Sequence, residues 1–506
     1  MNAQQEIVLP RDENQARGLA QYAIDFLADK FAPPGERPLR MVERFHLDSM
    51  ACAVSAIARG ANAPNVLRRE ALEYPYTRGV PCFGSQTRVM PEKAVLANCS
   101  AVREWDANGT NFGYDPSRGA TAGEFGHNDF YPVAVAAAQA KNLDGRATLK
   151  AMLLLDEIRG RLAEVFALKD HKIDHVLHGA IASAAVYGAV MGATVDEIES
   201  ALGLVVAHHV PFRAIRAGKQ LSDSKGASAA ISAEMAVAGV RRAMRGFVGP
   251  ADIFRNPEAV FCLFAPATRG QSPFDLQLAA SGDGFAVMGM HFKLGLYEHQ
   301  SAGAIQGLLD LCERHPGLLA DESELRGVRI SIYEPAFSII GDPAKRDPRT
   351  RQSADHSMVY IIATLLRKAF ETRQSGWKPL MLAPADYDDA ALFHPLTRRL
   401  IERIEFRHGG REYDAKYPDG IPTTIEIDHA RLGALSSGLV MYPAGHARNT
   451  TADLDDLLNH KFRLLAALGV ADVEGLWERF AHLRDKSAAE IAGLFDFELL
   501  APAAGS

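Results

Sequence analysis

A glycine-rich stretch of this chain gathers side chains of several reactive kinds. Trp105-Asp106-Ala107-Asn108-Gly109-Thr110 is followed by Gly123-Glu124-Phe125-Gly126-His127-Asn128-Asp129, so carboxylates, amides, a hydroxyl and an imidazole lie close together in sequence. Glycine admits backbone conformations that a regular helix does not use, and polar groups held on such loops are where enzymes commonly keep their chemistry. Three more polar clusters follow. One is Asp174-His175. Another runs from His208-His209 through Arg213, Arg216 and Lys219 to Ser222-Asp223-Ser224-Lys225. The last holds His291, Lys293 and Glu298-His299-Gln300-Ser301.

Each cluster has a plain structural explanation. Asp106 reads as a cap, and Asp174 as a helix N-cap followed by a satisfied first-turn histidine at 175. Arg213, Arg216 and Lys219 have near-helical spacing that puts cations on one face, which suits a solvated basic edge. His208 and His209 read as structural, because adjacent helical residues point apart, and Lys293 and His299 read as surface residues. Taken together the clusters say more. Cations stand near carboxylates and histidines with no metal-ligand spacing, a combination suited to a small polyanionic acid. Arginine and lysine fix carboxylates by charge-assisted hydrogen bonds, and histidine or a carboxylate can move a proton. A proton beside a carboxylate is hard to remove, so cations that take up the developing charge matter most in the transition state.

The elements around these clusters are mostly helical. Apolar residues recur at three- and four-residue spacing over 15–31 and 38–60, and helical pattern continues at 132–140, 147–167, 176–192 and 195–207. The stretch VLHGAIASAAVYGAVMGA is apolar nearly all round, as in a helix buried among helices. Near residue 275 the character changes. Val328–Tyr333, Arg403–Arg407 and Thr423–Ile427 alternate like half-buried strands, with helical pattern at 300–313 and 354–371. The order predicts a small α+β domain on an antiparallel or mixed sheet. Helical pattern returns after about residue 450.

The chain has 506 residues, 47% hydrophobic and 23% charged, enough for a large core and two domains. A formal net charge of -7 argues against a nucleic-acid-binding surface. The five scattered cysteines show no zinc or iron–sulfur spacing and read as a reduced, cytoplasmic protein. No window approaches a membrane span, and the polar N-terminus lacks a hydrophobic signal region.

The motifs resemble those of the MmgE/PrpD family, whose members include 2-methylcitrate dehydratase, cis-aconitate decarboxylase and iminodisuccinate epimerase. WDANGT is similar to the family's D-x-N-D-T segment, with Asp106 at the leading aspartate. Glu124-Phe125-Gly126-His127 resembles E-W-G-H, and Asp174-His175-Val176 resembles D-H-V. Arg216 and Lys225 fall nine positions apart, as in R-H-A-P-N-T-G-x-R-K. Lys293 with His299-Gln300-Ser301 is similar to K-x-S-F-P…H-x-Q. The chain departs from the pattern at Gly109, where many relatives have a second aspartate, at Asn128-Asp129, at Ala217-Gly218-Lys219 and at Leu296-Tyr297. These changes surround the substrate.

The resemblance implies a mainly α homodimer. A large all-helical domain is built from both chain ends (1–275 with 446–506), and an α+β lid (276–445) covers the active-site cleft. It further implies a cofactor-independent, metal-independent lyase that dehydrates 2-methylcitrate or a related tricarboxylic acid to 2-methyl-cis-aconitate. Asp106 and His127 would be general base and acid in either order, His175 and His299 would assist, and Arg216, Lys225 and Lys293 would bind carboxylates. Arg213 belongs with these cations, while Asn108 and Thr110 would orient Asp106 or the substrate. Decarboxylation or epimerisation of a related acid on the same scaffold is the nearest alternative, and a non-catalytic carboxylate-binding protein is the alternative from another class.

Overall fold

The computed structural model describes residues 6–119, 122–124, 126–216 and 221–500. Its helical body is arranged around Val176–Met191, buried from Val176 through Gly188. An alanine-rich helix with no polar face has no side to show to water, and here Tyr131–Lys141, Gly145–Val165, Val195–His208 and Asp223–Ala243 surround it. Gly179 lets this helix close against the ring of Phe130. Gly192, at φ +86°, ends it in the left-handed conformation that glycine adopts freely. Helix Pro91–Arg103 packs between Asn62–Leu72, Glu36–Ala58 and Asp223–Ala243. The alternating pattern did not reveal Asn62–Leu72, Pro91–Arg103 or Asp223–Ala243.

The far end of the chain returns to this body. Leu454–Ala466 lies along Glu36–Ala58, and its buried Lys461 pairs with Asp48 at 2.6 Å. The same ammonium donates to the carbonyl oxygens of Ala107 at 2.6 Å and Lys293 at 2.8 Å. Residues 276–279 also stay with the helical body, because Leu276–Ala279 pairs antiparallel with Glu6–Leu9. The chain therefore leaves that body later than the expected boundary at 275.

The smaller part carries a four-stranded mixed sheet in the order Gly433–Ser436, Thr423–His429, Leu325–Ile332, Ile404–His408. The first three strands are antiparallel neighbours, and Leu325–Ile332 runs parallel to Ile404–His408 with Val328 opposite Ile404. Val328, Ile330 and Ile332 are buried together with Ile425 and Ile427 on the next strand. Ala302–Arg314 packs against Thr423–His429 and Met358–Thr372. The three strands expected from alternation are present. Gly433–Ser436, short and largely exposed, carries no such signal. All five cysteines are free thiols, and among the described residues no helix is long and apolar enough to cross a membrane.

Two side-chain environments lead to tests. Gly109, at the first departure from the family pattern, lies against the ring of Phe45, which stacks on Phe292 at 3.8 Å between centroids. Any Cβ at 109 collides with that ring, so Gly109→Ala is expected to lower stability by about 1–3 kcal/mol in a urea titration. His46 is fully buried, and neither ring nitrogen has a hydrogen-bond partner among the described residues. Burial pushes its pKa down to about 3. The unfolded chain takes up a proton there below about pH 6.5 and the folded chain does not, so this stability is complete above that pH and is lost as pH falls toward 3. On going from about pH 7 to about pH 5, His46→Leu is expected to lose about 2 kcal/mol less stability than the wild type.

Candidate active site

Helix Pro91–Arg103 delivers the site's first charge at its end. Its last residue, Arg103, points its guanidinium at Asp106 three positions on. Asp106 itself sits at φ +52°, a left-handed conformation in which non-glycine residues are uncommon and which is held by surrounding contacts. Those contacts are fixed on both sides. The Trp105 indole donates to Ser55 Oγ at 2.9 Å. Thr110–Asn111 pairs with Gly126–His127, and Thr110 exchanges both backbone hydrogen bonds with His291. The loop at 105–111, the histidine at 127 and the segment bearing Lys293 are thereby joined through the backbone.

The Asp106 carboxylate is surrounded by donors. Oδ1 receives Lys293 Nζ and Arg103, while Oδ2 has Lys225 Nζ at 3.3 Å and His356 Nε2 at 3.2 Å. Lys293 Nζ also donates to the Asp106 carbonyl at 2.8 Å. Burial alone would raise this carboxyl, but Arg103, Lys293, Lys225 and His356 outweigh it and hold it well below the usual carboxylate range. Asp106 is thus held as an anchored anion by the groups around it.

Around it lies a cavity of about 160 Å³. His127, His175, His299, Thr110, Arg213, Arg216, Lys225 and Lys293, all singled out from sequence, line it. The His127 and His175 rings are 5.0 Å apart between centroids. Burial, with nearby cations adding to it, pushes the pKa values of His127, His175 and His299 well below the ordinary imidazole value. All three are neutral near pH 7. Arg216 clamps the buried Asp174 through both carboxylate oxygens, one at 3.2 Å. Asp174 Oδ1 also accepts from the backbone N–H of Val176 at 3.3 Å, but the helix N-cap is His175, one position later than the capping explanation placed it. The Thr110 hydroxyl donates to the Gly126 carbonyl at 3.1 Å.

Asn108 departs from its expected place. It does not line the cavity, and its amide donates to Asp129 Oδ1 at 2.5 Å and to Asn128 Oδ1 at 3.3 Å. It therefore braces the following loop and does not orient Asp106 directly. Phe125 and Lys219 lie outside the described residues.

Sequence reasoning missed the covering segment. Lys345, Ser353 and His356 line the cavity from the α+β side, as does Glu298, which was noticed only as part of a cluster. His356 Nδ1 meets Asp355 Oδ1 at 2.5 Å, and Lys225 Nζ lies 3.0 Å from the same oxygen. Arg351 reaches back to the helical body, pairing with Glu104 and lying 5.0 Å from the Trp105 ring, and it pairs with Asp355 at 3.2 Å. The spacing Arg351-x-x-x-Asp355-His356 is an i, i+4 ion pair next to a histidine, a legible signal within a stretch that the helical pattern dominates. Asp106, Asp355 and His356 have ligand atoms within 4.8 Å of one another. The Lys225 ammonium already stands among these atoms, 3.1 Å from His356 Nδ1, and supplies the positive charge that a metal ion would bring.

Glu298 contrasts with Asp106. It makes no ion pair among the described residues, and burial pushes its pKa up to about 7 despite Lys293 nearby.

Helical body, covering α+β part and a cation-lined cleft correspond to a known family of two-part proteins. Residues 17–270 match the MmgE/PrpD N-terminal domain and residues 297–481 the MmgE/PrpD C-terminal domain. This chain belongs to the MmgE/PrpD family. It is 26% identical to a 2-methylcitrate dehydratase of Salmonella typhi, over 78% of this chain and 82% of that one. It is 25% identical to a 2-methylcitrate dehydratase of Escherichia coli strain K12 with the same coverage. It is 23% identical to the alkylcitrate dehydratase phiI of Fungal sp. strain ATCC 74256, over 80% and 79% of the two chains.

Removing the Asp106 charge leaves Arg103, Lys225 and Lys293 buried without their shared partner. Asp106→Asn is expected to cost about 3–5 kcal/mol, read from chemical denaturation. A loss below about 1 kcal/mol would mean that the cations find other partners.

Proposed function

We propose that this protein is a hydro-lyase that removes water from 2-methylcitrate or a closely related tricarboxylic acid, giving the 2-methyl-cis-aconitate type of product. The observation that carries this reading is a single cavity in which lysines and arginines stand beside neutral histidines. The dehydratase names of the relatives support the same class of reaction.

The cations set where the substrate lies. Lys293 and Lys225, held in place by Asp106, receive the carboxylate next to the carbon that loses its proton. Arg213, Arg216 and Lys345 line the same cavity and meet the remaining carboxylates. As the C–H bond breaks, negative charge spreads onto the first carboxylate, where two desolvated ammonium groups stabilise it more than they stabilise the ground state. His127 is the base: its burial keeps the imidazole unprotonated at neutral pH, and the His175 ring stands beside it, 5.0 Å away between centroids.

The test is to incubate the purified enzyme with a panel of di- and tricarboxylic acids and follow the products by NMR. Dehydration of a citrate-type acid is expected, and His127→Gln and Lys293→Met should each lower kcat by about 100-fold or more. Release of carbon dioxide or inversion at a stereocentre without water loss would assign a different reaction to the scaffold. Binding without turnover would make it a carboxylate-binding protein.

A further inference from the structure

Dehydration needs two proton transfers. The base accounts for one, but hydroxide is a poor leaving group and requires a proton as it departs. Two carboxyl groups line the cavity, Asp106 and Glu298, and their surroundings are opposite. Asp106 is held ionised by Arg103, Lys225 and Lys293, with the His356 ring beside it. Glu298 has no ion-pair partner among the described residues, and its position is firmly set. Its backbone N–H donates to the Asp355 carbonyl at 2.8 Å, and its Oε2 accepts from the Gln300 backbone N–H at 2.9 Å. From the turn His299–Ser301 it looks into the same cavity as Lys293 and His127.

Resting on the dehydratase reading above, we propose that Glu298 is the catalytic general acid that protonates the departing hydroxyl. The histidine base takes the proton from the carbon beside a carboxylate, and that C–H electron pair becomes the new C=C bond. The C–O bond breaks with its pair on oxygen, Glu298 gives that oxygen its proton, and water leaves. The step ends with an imidazolium and a Glu298 carboxylate. Loss of one proton from the ring and uptake of one by the carboxylate restore both, so the only net product besides the alkene is water.

The rest of the lining is less suited to this role. Arginines do not release a proton near neutral pH, and Lys225 and Lys293 stand on the Asp106 side of the cavity, where the reading above places the substrate carboxylate. The charged and titratable groups around Glu298 are Lys293, Asp106, Lys345, Tyr333, Tyr417 and the adjoining His299. Tyr333 is buried and Tyr417 half-buried, and both have raised pKa values and stay neutral. The two lysines favour the carboxylate, whereas burial and the Asp106 charge oppose it, leaving Glu298 able to exchange its proton near pH 7. Two carboxyls whose environments drive them apart make natural partners, one anchoring and one donating.

Glu298→Gln keeps the shape and the acceptor for the Gln300 N–H but cannot donate an acidic proton. We expect kcat on the citrate-type substrate to fall by about 100-fold or more, with tricarboxylate affinity retained by calorimetry. In the wild type kcat/KM should decline as pH rises through about 7, and this limb should vanish in the variant. An analogue with fluoride in place of the hydroxyl needs less help in leaving, so the variant's deficit on it should be much smaller. Unchanged kcat with the alkaline limb intact overturns the proposal, and so does an equal deficit on both leaving groups, which marks a structural role. Absence of dehydration by the wild type overturns the dehydratase reading and this assignment together. Dehydration with an unaffected variant overturns the assignment alone.

Discussion

The sharing of one carboxylate, Asp106, by three buried cations is the constraint on which this site is built, with Asp129 and Asp355 meeting part of the charge of Arg103 and Lys225. Arg103 comes from the end of one helix, Lys225 from the first turn of another, and Lys293 from an extended segment almost seventy positions further on. Each is about as buried as a core leucine. Withdrawing an ammonium from water costs several kcal/mol unless an opposite charge meets it with good geometry. Asp106 meets all three, and its left-handed backbone puts both oxygens within their reach. Strain in one residue is thereby offset by the ion pairs it makes.

The same constraint ties the two parts of the molecule together. His356 and Asp355 belong to the covering part, yet they complete the shell of Asp106 and Lys225. Arg351 secures the contact by pairing with Glu104, two residues before Asp106. From the opposite side, Lys461 near the chain's end grips the carbonyls of Ala107 and Lys293. The site is therefore whole only when helical body, covering segment and returning helix are in contact. Moving any of them would expose or strand buried charges, which sets a steep energetic preference for the docked arrangement.

This explains which parts could be read from sequence. The helices around Val176–Met191 and the strands at 325–332, 404–408 and 423–429 were legible because burial imposes a period of 3.6 or 2 on their residues. Asp106, His127, His175, Lys225, Lys293 and His299 stood out because polar groups on glycine-rich or otherwise apolar stretches lack a packing reason. Arg103 and His356 did not, since each sits on a helix or at its edge among residues with good structural reasons to be there. Asn108 was misplaced for a related reason: an amide beside a carboxylate suggests a partnership, but the turn at 106 sends the two side chains to different neighbours, Asn108 to Asp129. Adjacency in sequence says little about direction in a loop. The opposite behaviour of Asp106 and Glu298 was also hidden, because it depends on cations brought from distant parts of the chain.

The cations act on the histidines as well. Arg103 and Lys293 depress His127, and Lys293 depresses His299, in addition to burial. In the free enzyme these rings are therefore weak bases. A tricarboxylic acid brings negative charge into the cavity against the same lysines and arginines and offsets their effect on the imidazoles. Proton affinity of the rings then rises on binding, because an opposite charge a few ångströms away in a poorly screened cavity favours the imidazolium. On the proposed reading the substrate thus strengthens the base that attacks it, while the Asp106 carboxylate compensates the cations when the cavity is empty. A dianionic acid would supply less of this compensation than a trianionic one. Discrimination between them would then lie in the proton-transfer step as well as in binding.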